Sequence, residues 1–259
     1  MKTICMEEMT WPDIRSAIEE GFATVVVAVG STEQHGPHLP TMTDTRIGDA
    51  VAERVARKLG NALQARSVPV GISEHHLAFG GTVSIKPDTL KLILGDYIES
   101  LVRCGFRRIV FLPMHGGNFA SVQQVIDGAR DAYPGVEVTG YADLMGVLAV
   151  LNSVSAEFGV SVEEAGAHAG ESETSMMMAL EPTLVVCDRF APGYLGPVGE
   201  AEFKIILERG MPALTQSGVL GDPRRASRDK GDIYIERLAD FLVEQIGRGS
   251  VPSSVEKAP

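Results

Sequence analysis

The chain has 259 residues, 44% hydrophobic and 22% charged, enough for a sizeable core in one large α/β domain or two small ones. Acidic residues outnumber basic ones 34 to 23, and the net charge of −11 repels phosphate backbones, which excludes nucleic acid as an expected partner; no basic run offers a membrane patch either. No apolar stretch approaches transmembrane length, acids rather than a signal-peptide core follow Met1, and Cys5, Cys104 and Cys187 form no CxxC pair, so the expectation is a cytoplasmic protein with reduced thiols, each a small buried hydrophobe.

Trp11-Pro12-Asp13 opens a short helix to about Glu20, because proline suits an early helical position and acids suit the first turn. Thr24 to Val29 is a continuous, mostly β-branched apolar run, which predicts a strand buried on both faces. A polar loop, Glu33 to Asp44, precedes a helix from about Thr45 to Leu59, and Gly60 is a helix stop. Arg66 to Val70 reads as a weaker strand. Asp88 to Arg103 carries Leu90, Leu94, Tyr97, Ile98 and Leu101 on one helical stripe. Arg108 to Leu112 is the second buried strand, followed by a helix from Asn118 to Ala132 and a strand from Val136 to Tyr141. Further helices are expected over Glu173 to Leu180, Glu200 to Glu208 and Asp232 to Ile246, with a frayed tail after them. Strands alternate with helices without a linker or repeat. The expectation is a single domain over 1–248, a mainly parallel sheet with helices on both faces, and a tail at 249–259.

All six histidines fall in four polar islands: Glu33 to His38, Glu74-His75-His76, His115 to Asn118, and His168 to Glu173. Imidazole and carboxylate together are the ligand set of a hydrolytic zinc, manganese or iron site. The first and third islands directly follow the two clear strands, so their side chains converge on one edge of the sheet, where such folds bind ligands. In an extended segment Glu33 and His35 point the same way and can reach one metal or two adjacent ones. Asp44 can bridge two cations or cap the helix that follows. Gly116-Gly117 lets backbone pass close to a group bound at His115, and Asn118 can hold a ligand, cap a helix or donate to an oxyanion. His168 can act as acid or base. Glu171 or Glu173 can add a carboxylate, or favour a helix N-terminus. His38, His76 and Tyr141 are expected beside the substrate, and Glu74 to His76 can equally face a neighbouring subunit. There is no G-x-S-x-G elbow, H-E-x-x-H, P-loop or G-x-G-x-x-G fingerprint.

The run Val29-Gly30-Ser31-Thr32-Glu33-Gln34-His35-Gly36-Pro37-His38-Leu39-Pro40, with Thr43-Asp44-Thr45, resembles the signature of the creatininase (creatinine amidohydrolase) family. Trp11-Pro12, Ser73 to His76, Gly81 to Ser84, His115 to Asn118, His168 to Ser175 and Gly221-Asp222-Pro223 match in the same order, so the resemblance covers about residues 8 to 245. It implies a three-layer α/β/α fold, a homohexamer and two divalent cations: zinc, manganese or iron. It implies hydrolysis of a carbon–nitrogen bond, other than an ordinary peptide bond, in a small cyclic or linear amide. By position, Glu33, Asp44 and His115 would hold one metal, and His35 with bridging Asp44 the second. A glutamate completes the second site in creatininase where this chain has Gly117, and Glu173 is the expected replacement. His168 would protonate the leaving nitrogen. Creatininase also sandwiches its flat ring between tryptophans, whereas the only tryptophan here is Trp11, so creatinine is a poor expected substrate. Metal-dependent isomerase or lyase chemistry, or a non-catalytic metal scaffold, are the alternatives.

Overall fold

A computed structural model of the chain describes residues 2–249. The helices are α1 (Trp11–Glu19), α2 (Thr43–Leu59), α3 (Pro87–Cys104), α4 (Phe119–Ala132), α5 (Leu144–Glu157), α6 (Val162–Ala165), α7 (Glu171–Leu180), α8 (Glu200–Arg209) and α9 (Arg228–Gly249). The strands are β1 (Thr24–Val29), β2 (Ala62–Gln64), β3 (Arg108–Pro113) and β4 (Glu137–Gly140). They form one parallel sheet in the order β2-β1-β3-β4. The two continuous apolar runs are its central pair, in register from Thr24 opposite Arg108 to Val29 opposite Pro113. All six β1 residues are buried, as expected of a parallel strand covered on both faces.

The strand order sets the layers. The step from β1 to β2 goes one way across the sheet, and the later steps go the other way. Right-handed crossovers therefore put α2 on one face and α3 and α4 on the opposite face. The packing agrees: α2 lies on β1 and β2 with α7 and α9, while α4 lies on β3 and β4 beside α3. This is the three-layer α/β/α arrangement. On α3 the inward stripe is Leu90, Leu94, Ile98 and Leu101, each buried and worth about 1.5–3 kcal/mol. Gly105 closes that helix at φ +114°, where its amide returns to the last turn.

Several elements differ from expectation. The second strand is Ala62–Gln64, not Arg66 to Val70. Val68 makes a single bridge to Val29, and Pro69, which has no N–H, ends the ladder there. Helix α5 was not foreseen: it starts at Asp143, whose carboxylate accepts from the Gly146 amide at 3.1 Å. Helix α9 begins at Arg228 rather than Asp232. Cys104 and Cys187 are exposed, because one ends a helix and the other starts a short 3-10 turn at the surface. No helix among the described residues is long and apolar enough to cross a membrane. The expected tail lies outside the described residues beyond Gly249.

Helices α7 and α9 cross closely. A Cβ at Gly231 would lie 2.0 Å from the Ser175 carbonyl oxygen. Glu171, fully buried, ties the pair together. It accepts from Lys230 Nζ at 2.7 Å, Ser175 Oγ at 2.8 Å and the Tyr234 hydroxyl at 2.6 Å. The Lys230 charge and the two hydroxyl donors compensate a carboxylate that burial alone would penalise.

Candidate active site

The order of the strands reverses between β1 and β3, and the crevice at their carboxyl ends is where open α/β sheets bind ligands. Four segments meet there. The loop after β1 carries Glu33 and His35, the first turn of α2 carries Asp44, the turn after β3 carries His115, and the approach to α7 and its first turn carry His168 and Glu173.

Asp44 is central. Its Oδ1 lies 3.0 Å from His35 Nε2 and its Oδ2 lies 3.3 Å from His115 Nδ1. Glu33 Oε2 is 3.1 Å from His115 Nδ1, while its Oε1 is 3.5 Å from His76 Nε2 and 3.6 Å from His168 Nδ1. Glu173 Oε2 lies 3.7 Å from His35 Nε2. Both Glu33 oxygens and Asp44 Oδ2 are buried without a well-aligned hydrogen bond. Buried carboxylate oxygens crowded against imidazole nitrogens without aligned hydrogen bonds are the donor set that fits divalent cations. Glu33–His35–Asp44 and His35–His168–Glu173 each bring their ligand atoms within 4.8 Å of one another.

The far nitrogens of these rings are held by acceptors. His35 Nδ1 donates to the Glu33 carbonyl at 3.1 Å, and His115 Nε2 donates to the Ile72 carbonyl at 3.0 Å, beside Ser73 Oγ at 3.2 Å. His168 Nε2 donates to the Gln34 carbonyl at 2.8 Å. Such outer partners orient an imidazole and leave its other nitrogen for the site.

The charges in the metal-free protein follow from burial against neighbours. Burial opposes a proton on His35, but the Asp44 carboxylate overrides it and pushes the imidazolium up to about 10. His115 is likewise raised well above its ordinary value, against burial, by Glu33 and Asp44. Burial would raise Glu33 and Asp44, but the cationic His115 and His35 hold both below the usual carboxylate range. Burial raises Glu173 to about 7. His168 is lowered to about 3 by burial and by the charge on His35, and burial also keeps His75 and His76 neutral.

Above the polar floor lie apolar walls. One lobe, of about 90 Å³, is bounded by Met114, Phe119, Leu144, Leu148, Leu151 and Phe203. A second, of about 150 Å³, adds His75, His76, Ile206 and Met211.

Other expected site residues sit elsewhere or do other work. Asp44 caps nothing: the N-cap position is Met42, and the Asp44 side chain turns inward. Asn118 is no oxyanion donor, because both its amide hydrogens go to backbone carbonyls, Val29 at 3.1 Å and Gly30 at 2.9 Å, while its oxygen accepts from the Ile72 amide at 3.0 Å. It fastens the loops after β1 and β3 together, and it offers no side-chain cap. Tyr141 lines neither lobe, since its ring packs edge-on against Phe241, 5.0 Å between centroids, and its hydroxyl donates to Asp143. His38 also lines neither lobe. Its Nε2 is 3.0 Å from Thr174 Oγ1 and its ring meets Phe190 edge-on. Glu171 is spent on α9. Residues not expected in the site include Ser73, behind His115, and Gln34, beside His76; their signal was their place in the stretches that resemble the creatininase family.

Two backbone features shape the floor. Ala169 adopts φ +53°, a left-handed conformation unusual for alanine, and its amide reaches Glu173 Oε2 at 2.5 Å. At Gly117 a Cβ would lie 2.1 Å from the Ile72 carbonyl oxygen and 2.7 Å from His115 Nε2.

Comparison with known proteins extends the geometry. Residues 7–246 match the family model described as creatininase, creatinine amidohydrolase. A mycofactocin precursor peptide peptidase of Mycolicibacterium smegmatis is 35% identical over 229 residues, covering 86% of this chain and 84% of that protein. A creatinine amidohydrolase of Pseudomonas putida is 31% identical, covering 95% of this chain and 96% of its own length. Two creatininase structures, one described as Mn and one a mutant of Zn–Zn type, superpose with TM-scores of 0.77 and 0.75 at 28% identity, covering 97% of this chain and 100% of theirs.

Proposed function

Because this chain belongs to the creatininase family, we propose that it is a binuclear metal-dependent amidohydrolase that cleaves a carbon–nitrogen bond of a small cyclic or linear amide. The observation that carries this reading is the convergence of the buried oxygens of Glu33 and Asp44 on the ring nitrogens of His35 and His115, with both Glu33 oxygens and Asp44 Oδ2 lacking an aligned hydrogen bond. Glu33, Asp44 and His115 would hold one cation, and His35, Asp44 and Glu173 the other. Zinc and manganese are named in structures of relatives, and iron suits the same donors. A cation pair supplies a nucleophile at neutral pH and polarises a carbonyl.

The chain's own groups do the rest. Asp44 faces both imidazoles and so fixes the spacing between the two ligand sets. His168 is held through Nε2 by the Gln34 carbonyl and keeps Nδ1 free to take up a proton and pass it to the leaving nitrogen. Leu144, Leu148 and Phe203 exclude water from the reacting amide and so strengthen every charge beneath it. The proposed assembly is a homohexamer, which light scattering checks.

The test is metal analysis together with a screen of the loaded protein against lactams, cyclic ureas, formamides and short peptides. The expected result is two cations per chain and release of an amine. Saturation at one cation per chain would overturn the binuclear site. Turnover without water incorporation would move the chemistry to isomerisation or elimination.

A further inference from the structure

Glu33, His76 and His168 form a third group whose ligand atoms lie within 4.8 Å of one another. By residue type it is a metal site. Its hydrogen bonds say otherwise, and we infer that Gln34 fixes His76 as a hydrogen-bond donor at the cavity wall rather than a metal ligand.

The orientation of the Gln34 amide is settled by groups with only one hydrogen-bonding role. Its Oε1 lies 2.9 Å from the Gly36 amide nitrogen, which can only donate. Its Nε2 lies 3.2 Å from the Gly218 carbonyl oxygen, which can only accept. Reversing the amide would break both contacts. The correctly placed Nε2 is 2.8 Å from His76 Nδ1. An amide nitrogen can only donate, so His76 Nδ1 accepts and is bare. The hydrogen of the neutral ring is therefore on Nε2. That nitrogen faces Glu33 Oε1 at 3.5 Å and the second lobe. A protonated ring nitrogen has no lone pair for a cation.

His168 obeys the same rule with the opposite outcome at the cavity. Its Nε2 is bound to the Gln34 carbonyl oxygen at 2.8 Å, so Nε2 carries the hydrogen there too. The 3.1 Å approach between His168 Nε2 and Gln34 Nε2 is then a contact between two donors, and the amide hydrogens go to His76 and Gly218. Thus one residue, through its side chain and its carbonyl, gives two imidazoles the same tautomer but shows the cavity different nitrogens. His76 presents N–H, and His168 presents a bare Nδ1 at 3.6 Å from the same Glu33 oxygen. A substrate atom between them meets a donor on one side and an acceptor on the other. The donor suits a carbonyl oxygen that gains negative charge during attack. That use rests on the hydrolase reading, whereas the tautomer does not.

The experiment is long-range proton–nitrogen correlation on protein labelled with 15N-histidine, first metal-free at neutral pH and then saturated with zinc. His76 and His168 should both show the hydrogen on Nε2, and His76 should keep it when zinc is bound. A hydrogen on His76 Nδ1, or its loss from Nε2 on adding zinc, overturns the assignment. In Gln34→Glu both carboxylate oxygens accept, so the His76 hydrogen should move to Nδ1 while His168 is unchanged. A folded Gln34→Glu protein with an unchanged His76 would overturn the role of Gln34. Should that variant not fold, the wild-type spectra still decide. In an amide-hydrolysing preparation, His76→Ala should lower kcat by about 10²–10³-fold, and His76→Gln, which restores an N–H near the same place, should recover most of it with little change in KM. Full kcat in His76→Ala would remove the donor role and leave the hydrolase reading intact. Absence of any amide hydrolysis would remove the hydrolase reading and leave the tautomer to the spectra.

Discussion

Glu171 and Glu173 stand two residues apart in the first turn of α7 and face opposite ways: Glu171 is buried against Lys230 and Tyr234, and Glu173 points to His35 at 3.7 Å. At about 100° per residue, positions i and i+2 on a helix diverge by roughly 200°. The two carboxylates therefore predict different losses. Glu173→Gln should release one cation preferentially. Glu171→Gln should keep both and lower stability by about 1–3 kcal/mol, because buried partners lose a charged acceptor. Metal content and thermal denaturation of the two variants check this, and the reverse pattern would overturn the ligand assignment.

Asp44→Asn should weaken both cations by more than about a hundredfold, a loss larger than outer-shell changes usually bring. A neutral amide bridges two cations poorly. Because Asp44 lies inside α2 and does not cap it, circular dichroism should show unchanged helix content. Normal metal content in this variant would refute the bridging role.

Metal binding should release protons. In the metal-free protein His35 keeps its proton up to about pH 10, and His115 is raised in the same direction. A cation needs both rings neutral, so affinity should rise with pH by about tenfold per unit for each proton displaced. Below about pH 7 Glu173 adds another proton. Calorimetry in buffers of different ionisation enthalpy should count the His35 and His115 protons at pH 8. The stability of the metal-free protein has the opposite sign. The His35 contribution is full below its unfolded value of about 6.5 and is lost as pH rises towards about 10. A metal affinity independent of pH would contradict the protonation scheme.

Creatinine should be turned over poorly. Trp11 is 72% exposed on α1, and the aromatic residues lining the cavity are Phe119 and Phe203. Without the two indole faces that the resemblance to creatininase implies, at about 0.5–1.5 kcal/mol each, kcat/KM for creatinine should be about ten- to a hundredfold below that of the Pseudomonas putida creatinine amidohydrolase. Side-by-side kinetics test this, and equal efficiency would show that stacking is supplied in another way.

The sequence exposed those parts of the fold whose signal is local. Thr24–Val29 and Arg108–Pro113 read as strands because nothing but a two-sided burial explains such runs, and the polar islands after them marked the catalytic edge. Strand β2 is not legible because three residues carry no period, whereas Arg66 to Val70 reads as a strand although Pro69 cannot continue the ladder. Helix α5 is apolar around much of its circumference, so it shows no stripe to read. Asn118 and Tyr141 failed for a tertiary reason. Which backbone carbonyl Asn118 meets, and that Phe241 lies over Tyr141, depends on segments far away in the chain. Glu171 and Glu173 separate only once the start of α7 is known to be Glu171 itself.

Gly117 carries a consequence for how such sites change over time. A side chain there would strike the Ile72 carbonyl oxygen, which also accepts the His115 ring hydrogen. Gly117→Glu would therefore not restore the creatininase arrangement: it would push aside the group that orients a neighbouring ligand before its own carboxylate could arrive. In this chain the 71–73 backbone would have to move before a side chain at position 117 could fit, so the glycine is a commitment that a single substitution does not reverse.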